Sequence, residues 1–550
     1  MISCPNCGGN PRFDIKSQKL LCSSCGTFFD VESFPEEKTG AEMHSVAGEY
    51  TDEPEKMEVK VYTCSQCGGE LMSMDTDATA FCSYCGSHQI LEERLSLQER
   101  PKRIIPFKIT KEDCKRAYAN KLKRSLFAPR ELKDPAYIDE FRSIYMPYWY
   151  YDFTQKGNIA LTGTTEHRRG DYKIIDSYRL SVDADNVFNG LTHDASTSFD
   201  DKMSESLAPF NTRETVPFRT SYLSGFYADI PDVEKTTYYT ETAAIAARDT
   251  ISNIESMSEF TSYNVKEMND TQAISRTLTE NTVSESAMFP VWFLSYRKDD
   301  RVAYAAINGQ TGKMTADIPI DKMKYLIGVG ILALIIWLAL QTFNIASLQG
   351  IMLAVIFGSL AGALIYGMIV HKLQEDIKNR AWESRMRERF LEKQAAKDNP
   401  PKEESGEGTG KKTKKKKNKK ILEKENGALG LRGTVVVWLV MLAAAGAANL
   451  FGWGWLIIVE PVAAAFYVQL GFDGTELKRG QISNWALCIS AVIGVLIWAI
   501  NPYIDILYYG SCVLMMGCVV WCFFDALFYY NQLMTRPLPQ FNKKGGDDRA

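Results

Sequence analysis

The chain has 550 residues, 45% of them hydrophobic and 24% charged, with a formal net charge of -4. At about 150 residues per domain this is too long for one core and implies three or four units. From Tyr325 onward apolar residues gather into runs of about 18 to 22 with almost no charge, the length a helix needs to cross a hydrocarbon layer of about 30 Å. A purely soluble protein is thereby excluded.

The opening MISCPNCGGN has no basic stretch followed by an apolar one, so the residues before the first apolar run are expected to stay cytosolic. Thirteen cysteines are present, and eight fall into four Cys-x2-Cys pairs. In a reducing compartment such pairs read as metal ligands rather than disulfides. Cys4, Cys7, Cys22 and Cys25 recur, each shifted by 60, as Cys64, Cys67, Cys82 and Cys85, so the module is duplicated. Gly8, Gly26, Gly68 and Gly86 follow the second cysteine of each pair, where a residue free of a Cβ lets the chain turn tightly and aim backbone amides at sulfur. Two closed, structural Zn2+ sites are expected, with no open position for catalysis at the metal. Modules this small would draw most of their folding free energy from the ion.

In chain order, the expected architecture is multidomain: zinc ribbon 1 over 1–34, an acidic linker over 35–60, zinc ribbon 2 over 61–95, and an α+β cytosolic domain with an antiparallel sheet over 102–320. That domain opens with a helix predicted from Lys111 to Phe127, begun by Thr110 and Asp113 as a capping box. Cys114, Ala117, Tyr118, Leu122 and Leu126 form its apolar stripe, opposite a basic face of Lys115, Arg116, Lys121, Lys123 and Arg124. YKIIDSYRLSV alternates as a strand does, 232–257 has helical character, and VWFLSYRKDDRVAYAAINGQTGK reads as strand, turn, strand, turn.

Six membrane helices are predicted, near 325–343 and 350–370, then 434–451, 454–471, 484–500 and 506–530, with a basic loop over 371–432 and a tail over 531–550. The loops near Asn344, Gly452 and Asn501 lack Lys and Arg, whereas the alternate connections carry them, which places both termini in the cytosol. The lysine run over 411–420 can attract anionic lipid. Glu460, followed by Pro461, and Asp525 are ionisable groups inside apolar runs and are candidate functional residues on that ground. Gly358 and Gly362 form a GxxxG that favours close helix packing, within the bundle or in a homo-oligomer.

Residues 1–100 hold 8 Lys+Arg against 17 Asp+Glu, which argues against nucleic-acid binding by the ribbons, since phosphate affinity comes mostly from cations. No HExxH, GxSxG or kinase pattern occurs. NGQTGKM has the wrong glycine spacing for a phosphate-binding loop and reads as a hairpin turn. His193, Asp194 and Ser196 are adjacent in sequence, which does not make a triad. No enzymatic activity is expected.

The succession of a CxxCG ribbon, RIIPFKITKEDCKRAYANKLKRSLFAPR, YMPYWYYDF, VPFRTSYLSGFYAD, FPVWFLSYRKDDRVAYAAINGQTGK and a membrane segment resembles the YdjG-like family of bacterial membrane proteins with a zinc ribbon of the TFIIB type. The resemblance runs from about residue 60 to 370. It implies a bacterial inner-membrane location, an envelope-stress role, and phage-shock protein A-like, TPM-domain and SPFH-type partners. Of site residues it carries over only Cys64, Cys67, Cys82 and Cys85. The extra N-terminal ribbon and the helices after Arg432 depart from it. The combined expectation is a multi-pass, zinc-binding adaptor that recruits proteins at the membrane. The alternatives are a transporter or channel working through Glu460 and the last four helices, and a nucleic-acid regulator.

Overall fold

The computed structural model describes residues 3–34, 55–73, 82–87, 91–169, 172–260, 263–266, 279–342, much of 355–376, 478–500 and most of 502–541. They divide into two compact units, one of Met1–Ile318 with Pro537–Asp547 and one formed chiefly by Pro319–Arg536.

In the first unit, β1 (Pro11–Asp14), β2 (Lys19–Cys22) and β3 (Phe28–Phe29) make a small antiparallel sheet. Every other described strand of this unit joins one large sheet. β4 (Lys56–Cys64), β5 (Glu70–Ser73) and β6 (Leu91–Glu99) pair antiparallel around the second cysteine set. β7 (Arg103–Ile104) leads to helix α1 (Lys111–Arg124) and the single turn α2 (Pro135–Ile138). The long strands β8 (Arg142–Arg169) and β9 (Tyr172–Asp194) form an extended hairpin. α3 (Asp201–Leu207), β10 (Val216–Pro217), β11 (Tyr227–Asp229), α4 (Tyr239–Ser256), β12 (Asn264–Lys266), β13 (Thr279–Lys298), β14 (Arg301–Asn308) and β15 (Met314–Ala316) complete it.

Three features of the sheet differ from the sequence reading. The second ribbon is not a free module beside the α+β domain: β5 pairs with β11, and β11 with β8, so the ribbon is built into the same sheet. Lys56–Lys60, read as linker, are the first half of β4. The sheet is also mixed, because β11–β8 and β13–β7 run parallel.

The aromatic run YMPYWYYDF lies on β8, covered on both faces. Side chains alternate across a strand, so Ile144, Met146, Tyr148 and Tyr150 enter one core, with Phe289 and Phe293 of β13. Tyr145 enters the opposite core with Phe107 and Trp292. Burial on both sides explains why the run lacks the period-2 polarity of a half-exposed strand. Further out, α4 lays Ala247, Ile251 and Ile254, at helical spacing, over Ile159, Leu161 and Leu180 of the long hairpin.

The capping box of α1 is present, with the Thr110 side chain accepting from the Asp113 amide and the Asp113 carboxylate accepting from Thr110 N–H. The helix stops at Arg124, three residues short of the expected end, and Leu126 is 75% exposed rather than part of the buried stripe of Cys114, Tyr118 and Leu122. On the basic face Lys115 pairs with Asp139 and Arg116 with Asp113. NGQTGK is the connection between β14 and β15, where the Asn308 carbonyl side chain accepts from the Gln310 and Thr311 amides at 2.9 and 3.0 Å.

The second unit contains α5 (Lys322–Thr342), helical segments within 355–376, α6 (Lys478–Ile500) and α7 (Asp505–Met534). Six spans were expected. Among the described residues one helix, α7, is long and apolar enough to cross a membrane, while α5 and α6 stand on the predicted spans 325–343 and 484–500. The predicted spans 434–451 and 454–471, with Glu460, lie outside the described residues, as does the lysine run 411–420. Asn531 ties the end of α7 to the start of α5, accepting from Ile320 N–H at 2.7 Å and donating to Ile320 O at 2.9 Å. Gly494 admits the Met515 side chain, which lies where a Cβ would otherwise sit at 2.9 Å.

Candidate metal centres

Each Cys-x2-Cys pair forms the same knuckle. The amide of the glycine after the second cysteine donates back to the carbonyl of the first: Gly8 to Cys4 at 2.8 Å, Gly26 to Cys22 at 2.8 Å, Gly68 to Cys64 at 2.7 Å and Gly86 to Cys82 at 3.0 Å. These glycines have φ between +66° and +75°, a region that a Cβ makes costly. The turn therefore brings both sulfurs of a pair to one side, and in the first copy the β1–β2 hairpin returns the second pair to meet the first.

The eight cysteines assemble as two tetrads with the predicted membership, all four sulfurs of each lying within 4.8 Å of one another. Cys4–Cys25 and Cys7–Cys22 are separated by 3.7 and 3.6 Å, Cys64–Cys85 and Cys67–Cys82 by 3.8 and 3.7 Å. A disulfide would need about 2.0 Å. Sulfurs placed tetrahedrally about 2.3 Å from one ion lie about 3.8 Å apart, so both tetrads have the dimensions of a metal cage. In the second tetrad, hydrogen bonds from neighbouring sulfurs, Cys64 foremost, together with burial hold the Cys67 thiol protonated far above its ordinary range. Four thiolates in that space require a cation, and four protein sulfurs complete a tetrahedral set.

The two cages face opposite ways. The first module turns its hairpin inward: Phe13 and Leu20 are buried, Phe13 packs on Tyr222 and Phe226 at 5.4 and 6.2 Å, and its amide donates to Ser224 O at 3.0 Å. Its knuckles point out, leaving Cys7 and Cys25 exposed while Cys4 and Cys22 are buried. The Thr27 hydroxyl and amide beside Cys25 pull that thiol down to about 6.

In the second module all four cysteines are buried. Tyr84, at the position matching Ser24 of the first copy, fills the space over Gly69 and meets Phe293 at 6.3 Å. Tyr304 donates its hydroxyl to Tyr84 O at 2.7 Å. The chain's distal segment closes the cage: Phe541 N–H donates to Cys67 O at 2.7 Å, and its ring lies 5.6 Å from that of Tyr84. A Cβ on Gly69 would come within 3.2 Å of the Phe541 ring. Phe541→Ala should therefore release this segment, speeding exchange of the amides at positions 538 and 541, which donate to Asp300 O and Cys67 O, at least tenfold in hydrogen-exchange mass spectrometry while the β8–β13 amides keep their protection.

Asp229, on β11 behind the second cage, was not singled out by sequence. It is fully buried, accepts from the Ser196 hydroxyl, and lies near Asp232. The Tyr84 hydroxyl faces it without a hydrogen bond of good geometry. Burial pushes its carboxyl up to about 7. His193 Nδ1 stands 3.3 Å from an Asp194 carboxylate oxygen and its ring stacks on Tyr238 at 3.5 Å, while the Ser196 hydroxyl donates to Asp229, so the structure pairs the first two of these residues and turns the third to a different carboxylate. In the second unit Asp525 is buried on α7 and accepts from the Ser483 hydroxyl, which accepts from Trp521 Nε1–H at 3.0 Å. Gly362 of the GxxxG approaches Val519 of α7, at 3.8 Å from where its Cβ would stand, whereas Gly358 meets nothing within 4 Å.

No family model matches the chain, and no solved structure matches it. One relative is the uncharacterized protein YdjG of Bacillus subtilis strain 168, 30% identical over 331 residues that make up 58% of this chain and 90% of YdjG. An identity of that extent over nearly the whole of the relative places this chain in the YdjG family.

Proposed function

We propose that the chain is a non-enzymatic membrane adaptor, with Zn2+ in both tetrads, six membrane helices and both termini in the cytosol of a bacterium. Its partners in this reading are envelope-stress proteins of the phage-shock protein A-like, TPM-domain and SPFH classes. One observation carries the reading: of two copies of one module, the second is built into the sheet, while the first is fastened by its hairpin and presents its knuckles outward. A module held rigidly with its metal-bearing face toward solvent suits docking, and the acidic balance of residues 1–100 directs that docking toward protein rather than nucleic acid. The apolar side chains exposed on α7, such as Ile506 and Val513 at 76% and 70%, suit a lipid-facing helix.

The test is a crosslinking pulldown from native membranes, comparing the parent protein with a variant carrying serine at Cys4, Cys7, Cys22 and Cys25. At equal membrane abundance the variant is expected to lose at least nine-tenths of the stress-protein partners. Unchanged recovery sinks the adaptor reading.

A further inference from the structure

The duplication supplies an internal comparison: two tetrads of the same ligands, the same knuckles and the same sulfur spacing, in opposite surroundings. A metal-bound thiolate remains a nucleophile, and its reactions with oxidants and electrophiles depend on access. In the second cage every sulfur is buried, and Tyr84 and Phe541 lie over the approach to Gly69 and Cys67. In the first, Cys7 and Cys25 are exposed, and each stands directly beside a buried partner sulfur, Cys22 at 3.6 Å and Cys4 at 3.7 Å. An attacked sulfur therefore has a resolving thiolate already in contact.

We infer that the first tetrad is an oxidant-reactive modification site, in which a peroxide converts an exposed cysteine and its buried neighbour into a disulfide and releases the metal ion. The second tetrad is shielded from the same reaction by the chain's own distal segment. This rests on the proposed zinc loading. In the first step the Cys7 thiolate attacks one oxygen of hydrogen peroxide; the O–O bond breaks, Cys7 becomes a sulfenic acid and hydroxide leaves. In the second, the Cys22 thiolate attacks the Cys7 sulfur, the S–S bond forms, and a second hydroxide leaves. Two protons convert both hydroxides to water. Sulfur is oxidised by two electrons, the peroxide is reduced by two, and Zn2+ departs having lost two of its four ligands. Cys25 with Cys4 undergoes the same sequence. Oxidation would thus disarm the outward face proposed for docking and leave the sheet intact.

The experiment uses the full chain in detergent or nanodiscs, with its zinc content measured first. Hydrogen peroxide is added, zinc release is followed with a chromogenic chelator, and oxidised cysteines are located by differential alkylation and mass spectrometry. One of two zinc ions is expected to leave at least tenfold faster than the other, with disulfides confined to Cys4, Cys7, Cys22 and Cys25, and thiol reductant plus zinc should restore it. Phe541→Ala should speed the slow phase severalfold without altering the fast one. Equal rates, release from the second tetrad first, or a slow phase indifferent to Phe541→Ala overturns the inference. A starting content other than two zinc ions refutes the zinc reading instead. Iodoacetamide labelling then decides accessibility alone, with Cys7 and Cys25 expected ahead of the four cysteines of the second tetrad in either metal state.

Discussion

Cys67→Ser is expected to abolish the cooperative thermal transition of the first unit, whereas Cys7→Ser leaves that transition in place. The asymmetry follows from where each cage stands. The second tetrad lies in the core that also contains Ile144, Phe289 and Phe293, and β4 and β5 connect it through β11 to β8. Metal binding to small modules of this kind contributes about 10–16 kcal/mol, against a total stability of about 5–15 kcal/mol for a typical domain. Losing one buried ligand also leaves polar atoms facing that core, at roughly 1–3 kcal/mol each. The first module, by contrast, is attached through Phe13, Leu20, the Phe13 amide donating to Ser224 O and the Ser224 hydroxyl donating to Pro11 O, so its metal is needed for its knuckles rather than for the sheet. Circular dichroism on heating, with exchange protection of β8 and β13 as a second readout, distinguishes the two. Comparable melting of both variants would remove the structural distinction between the cages.

The second large effect concerns Asp229. In an unfolded chain its carboxyl titrates near 3.8, and burial raises it to about 7 in the fold. The folded state therefore holds the proton more tightly. Stability is fully present below about pH 4 from this group, falls as pH rises between about 4 and 7, and levels off above. The interval from 3.8 to about 7 corresponds to about 4 kcal/mol as a ceiling. Asp229→Asn keeps an acceptor for the Ser196 hydroxyl and removes the charge. It should raise stability at pH 8 by on the order of 2–4 kcal/mol relative to the parent, with a smaller gain of about 1–2 kcal/mol at pH 5. Denaturant unfolding at both pH values measures this, and an asparagine variant less stable than the parent at pH 8 contradicts it.

What was legible in the sequence was local. The knuckle glycines, the Thr110 and Asp113 box and the turn at NGQTGK each need only a few neighbouring residues, and each stands where the pattern put it. The incorporation of the second ribbon into the large sheet was not legible, because it depends on Leu71–Ser73 meeting Tyr227–Asp229 across more than 150 residues. No periodicity records which strand lies beside which. The burial of Asp229 was hidden for the same reason, since only the position of β11 between β5 and β8 encloses it. Leu126 misled by continuing the apolar spacing past the point where Ser125 ends the helix. The role of Phe541 was hidden as well, since a single aromatic in a mostly polar stretch is ordinary on a protein surface and only the fold brings it to Tyr84 and Cys67.

The position of Phe541 also sets an order of events during synthesis. A ribosome makes the second ribbon long before it reaches Phe541, which follows every apolar run of the sequence. Throughout that interval the second tetrad would have to keep any bound ion without the Phe541 ring over it, open to competing chelators. Translation halted before that codon would leave a chain with all eight cysteines and without the Phe541 contact to Cys67 and Tyr84.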